Sequence, residues 1–123
     1  MGRSEYFDLE KRTLEFAKRV RLFVKQLPKT NSNFRDGGQL IDASGSVGAN
    51  YIEANESLSS KDFCYRIKIS RKEAKESRFW LHLIDTNMIP DLEKERLELI
   101  QESTELMNIF GSIIRKSELK ESK

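Results

Sequence analysis

The sequence predicts an all-α protein, an antiparallel up-down-up-down four-helix bundle. Three observations carry that prediction. In four separate segments apolar residues recur at alternating spacings of three and four, the pattern of a helix that buries one stripe. Pro28, Ser59-Ser60 and Pro90 punctuate those segments where helices stop and start. The chain of 123 residues has only two prolines and six glycines, so long uninterrupted helices are allowed. That length implies one domain with a real core, spanning about 5–116. The polar tail, 117–123, is expected to fray.

The first helix is expected over 5–27. Leu9, Phe16, Val20, Phe23, Val24 and Leu27 form its stripe, and Phe7 and Leu14 widen it. Pro28 ends it, because the residue before proline avoids the helical region. Residues 29–36 are polar and rich in capping side chains, and read as a loop. The second helix follows over 34–58. Its Gly37, Gly38, Gly45 and Gly48 each cost up to ~1 kcal/mol relative to alanine inside a helix. Their retention implies close packing or a bend. Ser59 and Asp62 have the spacing of a capping box, with Ser60 as the competing cap, which starts the third helix, 61–86. Pro90 fits the first position of the fourth, 90–116. That helix carries Leu92, Leu99, Leu106 and Ile113 at intervals of seven, with Ile100, Ser103, Met107, Phe110 and Ile114 on the same face.

The second and third helices are the centre of the design. One seam reads Ile41, Ser44, Gly48, Tyr51, Asn55, Leu58; the other reads Phe63, Ile67, Ser70, Ala74, Ser77, Leu81, Ile84. Both are small in the middle. Folding back about Ser59-Ser60 sets Gly48 level with Arg71 and predicts the closest helix contact near Gly48 and Ala74. The same register brings Glu53 to Arg66 and Asn50 to the region of Ser70 and Arg71. Tyr51, Asn55, Ser70 and Ser77 sit where a bundle wants leucine. Once buried they must find hydrogen-bond partners, and such residues fix register or oligomeric state.

Charge is distributed by helix. The formal net charge is only +2, too small to name a partner. Residues 9–29 nevertheless carry a net +5 and residues 61–78 a net +4, against −4 over 91–105. Local ion pairs such as Glu15–Arg19 account for part of this. The remainder suggests acid meeting base across subunits, or basic strips meeting phosphate. On helix one the candidates for nucleic acid are Lys11, Lys18, Arg19, Arg21 and Lys25. Neither basic helix interleaves exposed aromatics, so binding is expected to be led by the nucleic-acid backbone.

No catalytic constellation is present, and the chain is expected not to be an enzyme. A di-metal carboxylate site needs Glu-x-x-His pairs, and His82 has Phe79 three residues before it. Glu53-x-x-Glu56 and Glu73-x-x-Glu76 fall in opposite halves of the hairpin, about 15 Å apart along it. No metal or cofactor is expected. Gly45-x-x-Gly48 lies within a helical pattern and implies no phosphate loop. The single cysteine, Cys64, excludes an internal disulfide and suits a reducing cytoplasm. No apolar run approaches the ~18 residues that would suggest a membrane span. The first residues lack the apolar core of a signal peptide. Phe79, Trp80 and Leu83 lie largely off their helix's seam, as Leu97 does, and a single bundle has little inner surface left for them. They are the expected contact of a homo-oligomer.

Ser46-Val47-Gly48-Ala49-Asn50-Tyr51-Ile52-Glu53-Ala54 resembles the helix-two motif of the four-helix-bundle proteins encoded in 23S ribosomal RNA intervening sequences. That motif is approximately Ser-Ile-Pro-Ala-Asn-Ile-Ala-Glu-Gly. Leu27-Pro28, Ser60-Lys61-Asp62-Phe63 and Lys72-Glu73-Ala74-Lys75-Glu76-Ser77 resemble further stretches of the family, over about residues 7 to 116. The chain departs from the motif at Gly48 and Ala54, and serines replace the usual basic pair that follows. The resemblance implies a bacterial four-helix bundle assembled as a ring of five. A related group of basic pentamers serves as accessory factors to reverse transcriptases of diversity-generating retroelements. Two functions follow as expectations. One is an oligomeric scaffold that binds RNA, DNA or a ribonucleoprotein through basic helix faces; the other is a structural or protein-binding oligomer.

Overall fold

The computed structural model describes residues 3–121, with side chains from 8 to 120. It contains α1 (Arg3–Lys25), α2 (Asn31–Asn55), α3 (Ser60–Leu83) and α4 (Pro90–Glu121). No strand occurs among the described residues.

Helix ends differ from expectation where local hydrogen bonds outweigh the apolar pattern. Gln26 and Leu27 donate to the carbonyls three residues back, a tightened turn that ends α1 before Pro28. Thr30 caps α2, its hydroxyl accepting from the Asn33 amide at 3.1 Å. Most of the expected loop 29–36 is therefore helix. α2 stops at Asn55. Leu58, expected in the seam, is fully exposed in the turn. Ser59 caps α3 as expected, accepting from the Asp62 amide at 3.1 Å. α4 runs on through the expected tail as far as Glu121; Phe7's side chain and residues 122–123 lie outside the described set.

Contacts between neighbours run in opposite senses and define an antiparallel bundle. Thr13 and Val24 of α1 meet Gly48 and Gly37 of α2 respectively. The Ser70 hydroxyl donates to the Val47 carbonyl at 2.9 Å, and Arg66 Nη1 donates to Asn50 Oδ1 at 3.2 Å. Arg78 reaches Thr104, and Arg96 reaches the Leu81 carbonyl. Arg12 and Arg19 pair with Glu102 and Glu95. Each helix thus touches two neighbours in the cyclic order α1-α2-α3-α4. α2 packs most extensively on α3, while α1 and α4 approach each other least.

The core holds Phe16, Val20 and Phe23 of α1, Leu40, Val47 and Tyr51 of α2, Ile67, Ala74 and Leu81 of α3, and Leu99, Leu106 and Phe110 of α4. Tyr51 packs against Phe110 with ring centroids 5.9 Å apart. The α3 and α4 stripes are as expected; the α2 stripe is turned by about one residue. Leu40, Val47 and Ala54 are buried in place of Ile41, Gly48 and Asn55. Gly48 therefore faces α1 and not Ala74. A Cβ added there would lie 2.9 Å from Thr13 Oγ1, and one at Gly37 would lie 3.0 Å from Val24 Cγ1. The glycines let α2 lie close to α1, while the α2–α3 approach rests on Ser44, Ser70, Ala74 and Ser77, all buried.

One end of the bundle is clasped by a side chain that the sequence pattern does not mark. Buried Asn33 donates to the carbonyls of Pro28 (3.1 Å) and Asp85 (2.7 Å) and accepts from the Asp85 amide (3.0 Å). It thereby ties the α1–α2 connection to the α3–α4 connection. In the latter, Asn87 and Met88 adopt φ of 55° and 58°, a left-handed pair that non-glycine residues rarely adopt. Asp85 Oδ1 accepts from the Asn87 amide at 2.8 Å. Glu93 accepts from Arg96 at 2.6 and 2.8 Å and from the buried Thr86 hydroxyl at 2.8 Å. Arg96 first, and Thr86 second, hold the Glu93 carboxyl at about 2, below its ordinary 4.5.

Gly48→Leu is expected to lower stability by about 1–3 kcal/mol through overpacking against Thr13. Urea denaturation checks this, and an unchanged midpoint would contradict the close approach to α1. The second expectation concerns acid. A carboxylate with a depressed folded pKa contributes stability that is complete above the unfolded value. For Glu93 that contribution is lost as pH falls from 4.5 towards about 2. Thermal melts across this window should show Glu93→Gln losing less stability than the parent. Parallel curves would show that Glu93 is not held by its partners.

Candidate nucleic-acid interface

The buried face of α1, formed by Leu9, Thr13, Phe16, Val20 and Phe23, fixes what its other face presents. Lys11, Lys18 and Lys25 stand at intervals of seven, about 10 Å apart along the helix, and all are exposed. Arg21 is exposed beside them and donates to the Ala17 carbonyl at 3.1 Å. Among the described residues none of these four cations pairs with a carboxylate. Leu14 and Leu22 share this face at 52% and 59% exposure.

Arg19 is not part of that face. It turns towards α4, donating from Nη2 to Glu95 at 2.8 Å and to Glu98 at 3.5 Å. The expected Glu15–Arg19 pair is absent. One heptad away, Arg12 makes a two-pronged contact with Glu102 at 2.7 and 2.8 Å and reaches Glu105 at 2.9 Å. Acidic residues of α4 thus meet base within the chain. Hydrogen bonding to Glu102 and to Glu95 raises the pKa of Arg12 and of Arg19. Both groups are more than a third exposed, so solvent screening keeps each pair to roughly 1 kcal/mol or less.

The polar residues between α2 and α3 are structural. Ser70 and Ser77 are buried and bonded to main-chain carbonyls, Val47 and Glu73 respectively. Asn55 is half-buried and donates to Glu10 on α1 at 3.4 Å. Because α2 ends early, the hairpin centre shifts towards the N-terminus. Arg66 consequently meets Asn50, not Glu53, and Glu53 is exposed. Asn50 also donates to the Ser46 carbonyl at 2.9 Å. Glu73 lies beside Ser46 and Glu76; burial first and Glu76 second raise its carboxyl above the ordinary range.

Of the expected oligomer contact, Phe79 and Leu83 are exposed at 55% and 50%, as Leu97 is at 54%. Trp80 is different: it is half-buried and packs on the core, edge-on to Phe79 at 5.1 Å. Cys64 is buried and His82 exposed. An open cleft of about 1210 Å³ lies where the start of α1, the α2–α3 turn and the end of α4 meet, with Leu9, Phe63, Ile109 and Ile113 on its walls and Lys116 and Lys120 at its edge. Among the described residues no cluster of histidine, cysteine or acid is arranged to hold a metal. None of the helices is long and apolar enough to cross a membrane.

This arrangement has known relatives. A crystal structure of a protein of unknown function from the S23 ribosomal protein family of Bacteroides thetaiotaomicron superimposes with a TM-score of 0.74 at 31% identity. The match covers 85% of this chain and 96% of that one. Among curated proteins there is no match. The model of the 23S rRNA-intervening sequence protein family matches residues 5–112, and the chain belongs to that family.

Proposed function

We propose that the protein is a non-enzymatic, homo-oligomeric accessory protein that binds RNA through the outer face of α1. The observation that carries this reading is a division of labour among the cations of one helix. Arg12 and Arg19 are engaged with α4, whereas Lys11, Lys18, Arg21 and Lys25 face outward. One chain then offers about three or four phosphate contacts, too few for tight binding at physiological salt. An assembly multiplies them through simultaneous engagement. A cyclic ring of five, the count drawn from the family resemblance, would serve.

The second reading is a protein-binding oligomer without a nucleic-acid role. Leu14 and Leu22 favour it, since exposed leucines add apolar area that phosphate does not use. Fluorescence anisotropy with labelled RNA and labelled duplex DNA separates the two. The oligomer is expected to bind at ~50 mM salt and to lose most of its affinity by ~200 mM, with little dependence on sequence. The double variant Lys18→Glu, Arg21→Glu should abolish binding and leave the assembly intact. Arg19→Glu should mainly lower stability. No binding by the intact oligomer at the lower salt would leave the protein-binding reading. A monomer mass by light scattering at micromolar concentration would refute the assembly.

A further inference from the structure

We propose that the outer faces of α2 and α3 are the two halves of one contact between copies of this chain, α3 of one copy lying antiparallel against α2 of the next. The proposal rests on the oligomeric reading above and assigns the surfaces that make it.

Each helix carries a second set of outward residues, four and ten apart, on the side away from the core. On α3 it is large and basic. Tyr65, Phe79 and Leu83 are 62%, 55% and 50% exposed, with Lys61 and Lys75 exposed on the same face. On α2 it is mixed in size, with acid at Asp42 and at its C-terminal end and Arg35 near its start. Phe34 and Ile52 are 83% and 50% exposed, Asp42 and the residue that ends the helix, Glu56, are exposed, and Gly38 has nothing within 4 Å of where its Cβ would be.

The register within one chain states which of these residues share a level. Copies related by rotation about an axis parallel to the helices keep every residue at its own height. The α2–α3′ contact then inherits the levels set by Ser70 on Val47. On that register Leu83 meets Phe34 and Tyr65 meets Ile52, apolar against apolar. Lys75 meets Asp42 and Lys61 meets Glu56, base against acid. Phe79, the large exposed ring, meets Gly38, the open position. One register thus satisfies apolar area, charge and size together, the features that select a partner in a helical seam. α1 is basic on its outer face, like α3, and lacks this match.

The geometry closes. α2 and α3 are adjacent corners of the bundle, so their outward directions stand at roughly a right angle. A heterologous contact through adjacent faces closes into a small ring, of about four or five copies, whereas opposite faces would extend a filament. α1 then lies on the outer rim, with Lys11, Lys18, Arg21 and Lys25 free.

The test uses full-length protein carrying Cys64→Ala, with Asp42→Cys in one preparation and Lys75→Cys in another. A short bifunctional thiol reagent is expected to give a covalent dimer in the mixture and none in either preparation alone. Light scattering of the same samples reports the assembly. An intact oligomer without the mixed dimer would overturn this contact and leave the oligomeric reading standing. Cross-linking within a single preparation would also overturn it, since it marks a symmetric interface. A monomer mass would remove the oligomeric reading and this contact with it.

Discussion

The hydroxyl of Ser70 on the Val47 carbonyl is the contact on which much of this structure depends. A serine side chain reaches a neighbouring backbone at 2.9 Å only if two helices lie close together. The buried Ser44, Ala74 and Ser77 permit that approach. Once Ser70 is buried, its hydroxyl needs an acceptor, and losing it would cost on the order of 1–3 kcal/mol. The bond therefore acts as a register pin more than as a source of stability. It sets Arg66 on Asn50, places the Tyr51 ring within the core, and decides which outward residues share a level.

The opposite side of the bundle is built differently. α1 and α4 approach each other least, and arginine side chains bridge the interval. Arginine suits that task because its planar fork meets a carboxylate at two points, as Arg12 does at Glu102. The lysines of α1, point charges on flexible stems, stand on the solvent side. With Arg21 beside them, the basic residues of one helix thus divide into closure of the fold, by Arg12 and Arg19, and display of charge. By sequence alone Arg19 counts as one more phosphate cation, because net charge by segment does not report which helix a side chain faces.

Much of the architecture was legible in the sequence. The α3 and α4 stripes hold because neither expected stripe includes a glycine and Ser70, Ser77 and Ser103 are buried among the apolar residues, and Pro28, Ser59 and Pro90 mark real boundaries. On α2 Ser44 and Tyr51 are buried as their spacing predicts, but Leu40, Val47 and Ala54 take the places of Ile41, Gly48 and Asn55, because a glycine gives the pattern no weight. Reading Gly48 as a seam residue turned the helix away from its true face, and assigning Leu58 to the helix displaced the hairpin centre. The polar composition around Thr30 and Asn33 suggests a loop, although Thr30 is the capping residue that starts α2. The role of Asn33 rests on Asp85, far away in sequence, and no local signal announces such a contact. For the candidate interface, composition marked α1 as basic, but only the packing separates Arg12 and Arg19 from the lysines.

The α2–α3 register is the central claim, and double-mutant cycles on Arg66 test it most directly. Stability is measured for Arg66→Ala, Asn50→Ala, Glu53→Ala and the two doubles that contain Arg66→Ala. The register described here expects a coupling of about 0.5 kcal/mol or more between Arg66 and Asn50, and one near zero between Arg66 and Glu53. Coupling to Glu53 with none to Asn50 would mean that the helices are offset along each other. The pin at Ser70, and the matched outer faces derived from it, would then both be wrong.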